Sequence, residues 1–144
     1  MNRFKPIKRD MNYLFPPSMH DWLPEHHLAR FIVEIVEQLD VKAMERAYGT
    51  SGSDPFHPAL LLSILVYGYA TGVFSSRKLE HATYDSIAFR FVAADEHPDH
   101  DTLNTFRKRF LKDIEALMVQ VLMIARTMGV FKLGNIALDG SKLK

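Results

Sequence analysis

The sequence predicts a mainly α fold, a helical bundle with a helix-turn-helix-like pair, followed by one C-terminal β-strand. Three observations carry this reading. Leu28, Phe31, Ile32, Ile35, Val36 and Leu39 recur at the i, i+3, i+4, i+7 spacing of an amphipathic helix. The run from Pro58 to Phe74 is apolar on nearly all sides, as a core helix is. Val130 to Leu138 then reads as an apolar strand that ends in Asp139-Gly140.

Composition narrows the function classes. Hydrophobic residues make up 47% and charged residues 24% of the 144-residue chain, the balance of a folded domain. The formal net charge is +1, so nucleic-acid binding has to come from local patches. The absence of cysteine excludes disulfides and thiolate metal sites, and it suits a reducing, cytoplasmic setting. The basic residues of Met1–Asp10 are not followed by the apolar stretch of a signal peptide. Pro58–Phe74 falls short of the roughly 20 apolar residues of a membrane span. It is also interrupted by Ser63, Gly68 and Thr71, so a buried helix and no membrane are expected.

Along the chain, residues 1–24 read as an N-terminal arm that packs Tyr13, Leu14 and Phe15 against something, and Asp21–Pro24 reads as a helix entry with Pro24 near the first turn. A helical domain is expected over residues 25–129 and the first strand of a second domain over 130–144. Within the helical domain a short helix spans about Val41–Tyr48, and Gly49–Pro55 is a loop. The core helix begins at Pro58 and is capped by Gly72. Ser75 or Ser76 caps the next helix, Arg77–Thr83, with Lys78 and Glu80 outward. A tight connection leads to Ser86–Ala94, and these two helices form the helix-turn-helix-like pair. After a polar loop, Asp101 or Thr102 caps one long helix that runs to about Met128 and stops at Gly129.

Several side chains are candidates for function. Arg77, Lys78 and Arg90 are the basic residues of the paired helices, although Ile87, Phe89, Phe91 and Val92 make the second helix apolar for a base reader. Thr105, Lys108, Arg109 and Lys112 give the long helix a basic outer face suited to phosphate contacts, or else an ordinary solvated face. Arg107 lies at the edge of the apolar arc and calls for a carboxylate partner, Asp99 or Asp101. The loop Glu96–Asp101 has metal-ligand residue types, but its crowded spacing around Pro98 fits Asp99 and Asp101 as helix caps and a locally bonded His100 better. Asp139 is the catalytic and metal-binding candidate; taken alone, Asp-Gly is equally a turn after a strand.

Three segments, in order, resemble the N-terminal half of DDE-type insertion-sequence transposases, the bacterial group with an RNase H-like catalytic domain. The first runs from His57-Pro58 through Leu61-Leu62, Gly68 and Gly72 to Ser75, Arg77 and Glu80. The second combines Phe89-Arg-Phe91 with Pro98-Asp-His-Asp-Thr-Leu-Asn-Thr-Phe-Arg107. The third is Ile136-Ala-Leu-Asp139-Gly-Ser-Lys-Leu-Lys144. The resemblance implies that Asp139 is the first of three acidic ligands for Mg²⁺ or Mn²⁺, that transposon-end DNA is the partner, and that the helical region binds those ends. It also implies a homodimer or a remaining catalytic domain as protein partner. One carboxylate does not hold paired cations, so this stretch alone is expected to be inactive.

Two other readings are open from the residues. One is a free-standing DNA-binding regulator or inhibitor of transposition, and the other is a helical protein-interaction domain. Charge reversal at Lys108 and Lys112 weakens DNA binding under either DNA reading and has no such effect under the last.

Overall fold

The computed structural model describes residues 4–9, 22–49 and 55–129, and among them all regular structure is helical. The expected strand with Asp139, and the arm residues Tyr13, Leu14 and Phe15, lie outside the described residues. Seven helices are described: α1 Leu28–Glu37, α2 Lys42–Ala47, α3 Pro58–Thr71, α4 Ser76–Asp85, α5 Ile87–Val92, α6 His100–Arg109 and α7 Leu111–Thr127.

Helix α3 is the centre, and α1, α4 and α5 pack on it. Leu60, Leu61, Leu62, Ile64, Leu65 and Val66 are each at most 2% exposed. Burial of each such side chain contributes roughly 1.5–3 kcal/mol relative to leaving it in water. An apolar run with no polar face can only be a helix covered from several directions.

Two histidines start helices. His27 Nδ1 accepts the Ala29 N–H at 3.0 Å, and His57 Nδ1 accepts the Ala59 N–H at 3.0 Å. Each satisfies a donor that a helix N-terminus leaves open. Accepting at Nδ1 puts the His57 ring proton on Nε2, which lies 2.5 Å from Glu45 Oε2 and ties α2 to the start of α3. The expectation for Pro24 is corrected here. Helix α1 begins at Leu28, and Pro24 sits in the preceding turn, where its carbonyl accepts from His27 N–H at 3.1 Å and Arg30 Nε at 2.9 Å.

The single long helix is also corrected. Phe110 has φ −114° and ψ 28°, outside the helical range, and separates α6 from α7. No glycine or proline signals this break. The Phe110 ring is buried, 5.3 Å from Phe106 and 5.9 Å from Tyr48, so packing overrides local propensity. Helix α7 then lies against α1 and α6 through Ile114, Leu117 and Val121.

The described part of the arm is anchored at both ends. Phe4 is buried edge-on to Tyr48 at 5.4 Å, and the Arg9 guanidinium donates to the Val92 carbonyl at 3.1 and 3.3 Å.

Candidate nucleic-acid interface

Helices α3 and α4 meet across the four residues Gly72, Val73, Phe74 and Ser75, and the chain turns through 96° between them. The two helices therefore stand nearly perpendicular across a short turn that begins with a glycine. Three residues build it. Gly72 closes α3 at φ 81°, a left-handed conformation that costs a glycine little. Ser75 caps α4 by accepting the Lys78 N–H at 3.0 Å. Gly68 lets the two helices approach: a β-carbon there would stand 2.6 Å from the Val73 carbonyl oxygen and 2.7 Å from Leu79 Cδ2.

The pair expected from sequence is the next one along the chain. Helices α4 and α5 are separated by Ser86 alone, and the six-residue α5 buries Phe89, Phe91 and Val92.

Arg77 and Lys78 are exposed on the first turn of α4, and their side chains make no hydrogen bond or ion pair among the described residues. Glu80, expected outward, turns to α6. Its Oε1 accepts the His100 backbone N–H at 2.9 Å and lies 2.8 Å from His100 Nδ1. An ionised carboxylate only accepts, so Nδ1 carries the proton. His100 therefore bonds across the fold, while its Nε2 lies 3.6 Å from the neighbouring Asp101 carboxylate. The ring and then the backbone of His100 hold the Glu80 carboxyl below its usual range. Thr83 extends the fastening: its hydroxyl donates to the Glu80 carbonyl at 2.7 Å and lies 3.1 Å from His97 Nδ1, while the His97 ring stacks on Tyr84 at 3.8 Å.

The cap of α6 is Asp99, one of the two loop carboxylates read as helix caps, and it stands two or three residues before Asp101 and Thr102. It accepts the Thr102 N–H at 2.8 Å, which holds its carboxyl below the usual aspartate range. Arg107 does not meet Asp99 or Asp101. It donates from Nη2 to the Phe74 carbonyl at 3.0 Å and lies over the Tyr69 ring at 5.9 Å, with Nε buried and unpaired. The α3–α4 turn thus rests on the last turn of α6.

Other candidate residues differ in how far the protein already holds them. Arg90 pairs with Asp95 at 3.1 Å beside the left-handed Ala94 and Asp95, at φ 53° and 60°. Arg109 donates to the Ala47 carbonyl and lies over Tyr48 at 4.8 Å. Thr105 is exposed in a shallow cleft shared with Asp99 and Asp101. Lys108 and Lys112 are exposed, with no ion pair among the described residues, on either side of the break at Phe110. Asp139 lies outside the described residues, and no group of three or more His, Asp or Glu among the described residues is placed to hold a metal ion.

The segment that forms this arrangement, from the α1 approach to the end of α6, is matched by a family model, Transposase domain (DUF772), over residues 17–109. The chain belongs to that transposase-domain family. No curated protein and no solved structure matches it. Within the transposase domain, the first two sequence blocks meet in space through two side chains: Glu80 of the first holds His100 of the second, and Arg107 of the second holds Phe74 of the first. Sequence reasoning missed both. The signal available was an acid closing one block and a histidine early in the other, twenty residues apart.

Among the described residues no single helix is long and apolar enough to cross a membrane. Helices α3 and α4 reach that length only together, across their 96° bend.

Proposed function

We propose that this transposase-family chain contributes the DNA-end-binding part of a DDE-type transposase, with α3 and α4 as its helix-turn-helix. The observation that carries this reading is the pair of exposed cations Arg77 and Lys78, without partners among the described residues, on the first turn of the second helix of a right-angle pair. In helix-turn-helix proteins the N-terminal residues of the second helix reach base edges in the major groove. The withdrawal of Glu80 into its bonds with His100 takes a carboxylate away from that turn. Lys108 and Lys112 supply further phosphate contacts, whereas Arg90 and Arg109 chiefly hold the fold.

In this reading residues 25–129 are the DNA-binding domain, and Asp139 belongs to a Mg²⁺-binding carboxylate set with further acidic residues of an RNase H-like domain. Paired cations polarise the attacking and leaving oxygens in such chemistry, and that requires more than one carboxylate.

The test is fluorescence anisotropy with a labelled duplex carrying the ends of the element that encodes this chain, against a scrambled duplex. The expected result is tighter binding to the end duplex, weakened at least about tenfold by Arg77→Glu with Lys78→Glu, a loss of about 1.4 kcal/mol or more. Asp139→Ala leaves this affinity unchanged. Equal affinity for both duplexes, or charge reversal without effect, overturns the reading.

A further inference from the structure

Helix α7 has two apolar faces, and the fold uses one. Ile114, Leu117 and Val121 are buried, while Val119, Leu122 and Met123 on another side are 58%, 54% and 65% exposed. A surface helix ordinarily carries polar residues there. Exposed Glu115 and Arg126 bracket this strip, so that Glu115, Val119, Leu122 and Arg126 follow the four-three-four spacing of a coiled-coil seam.

We propose that this strip is a homodimer seam in which two copies of α7 pack antiparallel about a two-fold axis level with Gln120 and Val121. Two-fold symmetry requires that residue i meet j and j meet i. About that axis Val119 faces Leu122 of the second copy and Glu115 faces its Arg126, while half-buried Met118 and exposed Met123 flank the seam on opposite edges. The ends of the seam therefore carry opposite charges. A parallel, in-register pair would set Glu115 against Glu115 and Arg126 against Arg126. Within one helix the two charges are eleven residues apart, about 16 Å along the axis, and cannot pair with each other. Charge complementarity thus selects a second copy, in one orientation, as the occupant. The seam is one helix long, so the association is a weak one in the low range of interface size.

Sedimentation of the full chain across a concentration series tests this. The expected mass rises toward twice the 16.5 kDa of the monomer. Glu115→Arg alone and Arg126→Glu alone each weaken association about tenfold, as the loss of close charge pairing does. The double exchange restores it, as does mixing the two single variants. Leu122→Glu abolishes it with the far-UV circular dichroism unchanged, since the position is exposed. A monomer at every concentration, with this face bare or covered by another stretch of the chain, overturns the proposal. A dimer indifferent to both single charge reversals also overturns it.

Discussion

Glu80 and His100 show how a side chain that reads as surface can fasten two helices. From spacing alone Glu80 belongs on the outer face of α4, because a sequence cannot show that α6 starts directly beside it. The bond has a pH signature. The folded Glu80 carboxyl is held below its usual 4.5 by His100, so its stabilising contribution is complete above that value and is lost as pH falls through the depressed folded one. Asp99 acts in the same direction. Thermal denaturation of Glu80→Gln is expected to show lower stability at neutral pH than the wild type, with the difference shrinking in acid. A difference that persists at low pH would mean that the carboxylate charge is not the source. Arg90 is a second case. Its pairing with Asp95 braces two non-glycine residues in left-handed backbone, a conformation that costs roughly 1–2 kcal/mol per residue. Arg90→Ala is expected to destabilise the fold by about 1 kcal/mol in urea denaturation, while the folded variant keeps its DNA affinity. A loss of DNA affinity with stability intact would return Arg90 to the interface.

Helices with strong patterns were legible in the sequence, and their joints were not. The apolar series of α1, the core run of α3 and the Gly72 cap all lie where periodicity and backbone freedom put them. The break at Phe110 was invisible because its cause is a ring drawn toward Tyr48 and Phe106, a contact between distant parts of the chain. The right-angle joint between α3 and α4 was not anticipated because that turn looked like the end of a core helix. Gly68 marks the joint. An alanine inside a helix ordinarily gains up to about 1 kcal/mol over glycine, but overpacking typically costs 1–3 kcal/mol. At this position the new carbon would lie 2.6 Å from a backbone oxygen, so the second effect wins. Gly68→Ala is expected to lower stability by about 1–2 kcal/mol and to weaken DNA binding by disturbing the angle of α4. Increased stability would show that the two helices are not in close contact.

For the molecule as a whole, family membership was legible because two short blocks within the matched residues 17–109 stand in the right order, and they prove to be one spatial unit. Most residues of the first block have architectural work: His57 caps α3, Gly68 and Gly72 shape the joint, Ser75 caps α4 and Glu80 anchors it. Arg77 is the member left exposed, with no side-chain partner among the described residues. That residue, with Lys78, is where the DNA reading rests, and a two-fold seam on α7 would present the pair twice to a DNA end. The most direct measurement is the salt dependence of binding to the end duplex for the wild type and for Arg77→Gln with Lys78→Gln. Each cation that neutralises a phosphate contributes about 0.9 to the slope of log affinity against log salt. The account predicts weaker binding by the variant. It also predicts a slope shallower by roughly one to two such contributions, according to whether one or both side chains sit on phosphate. An unchanged affinity with an unchanged slope would place the DNA on another face and contradict the account.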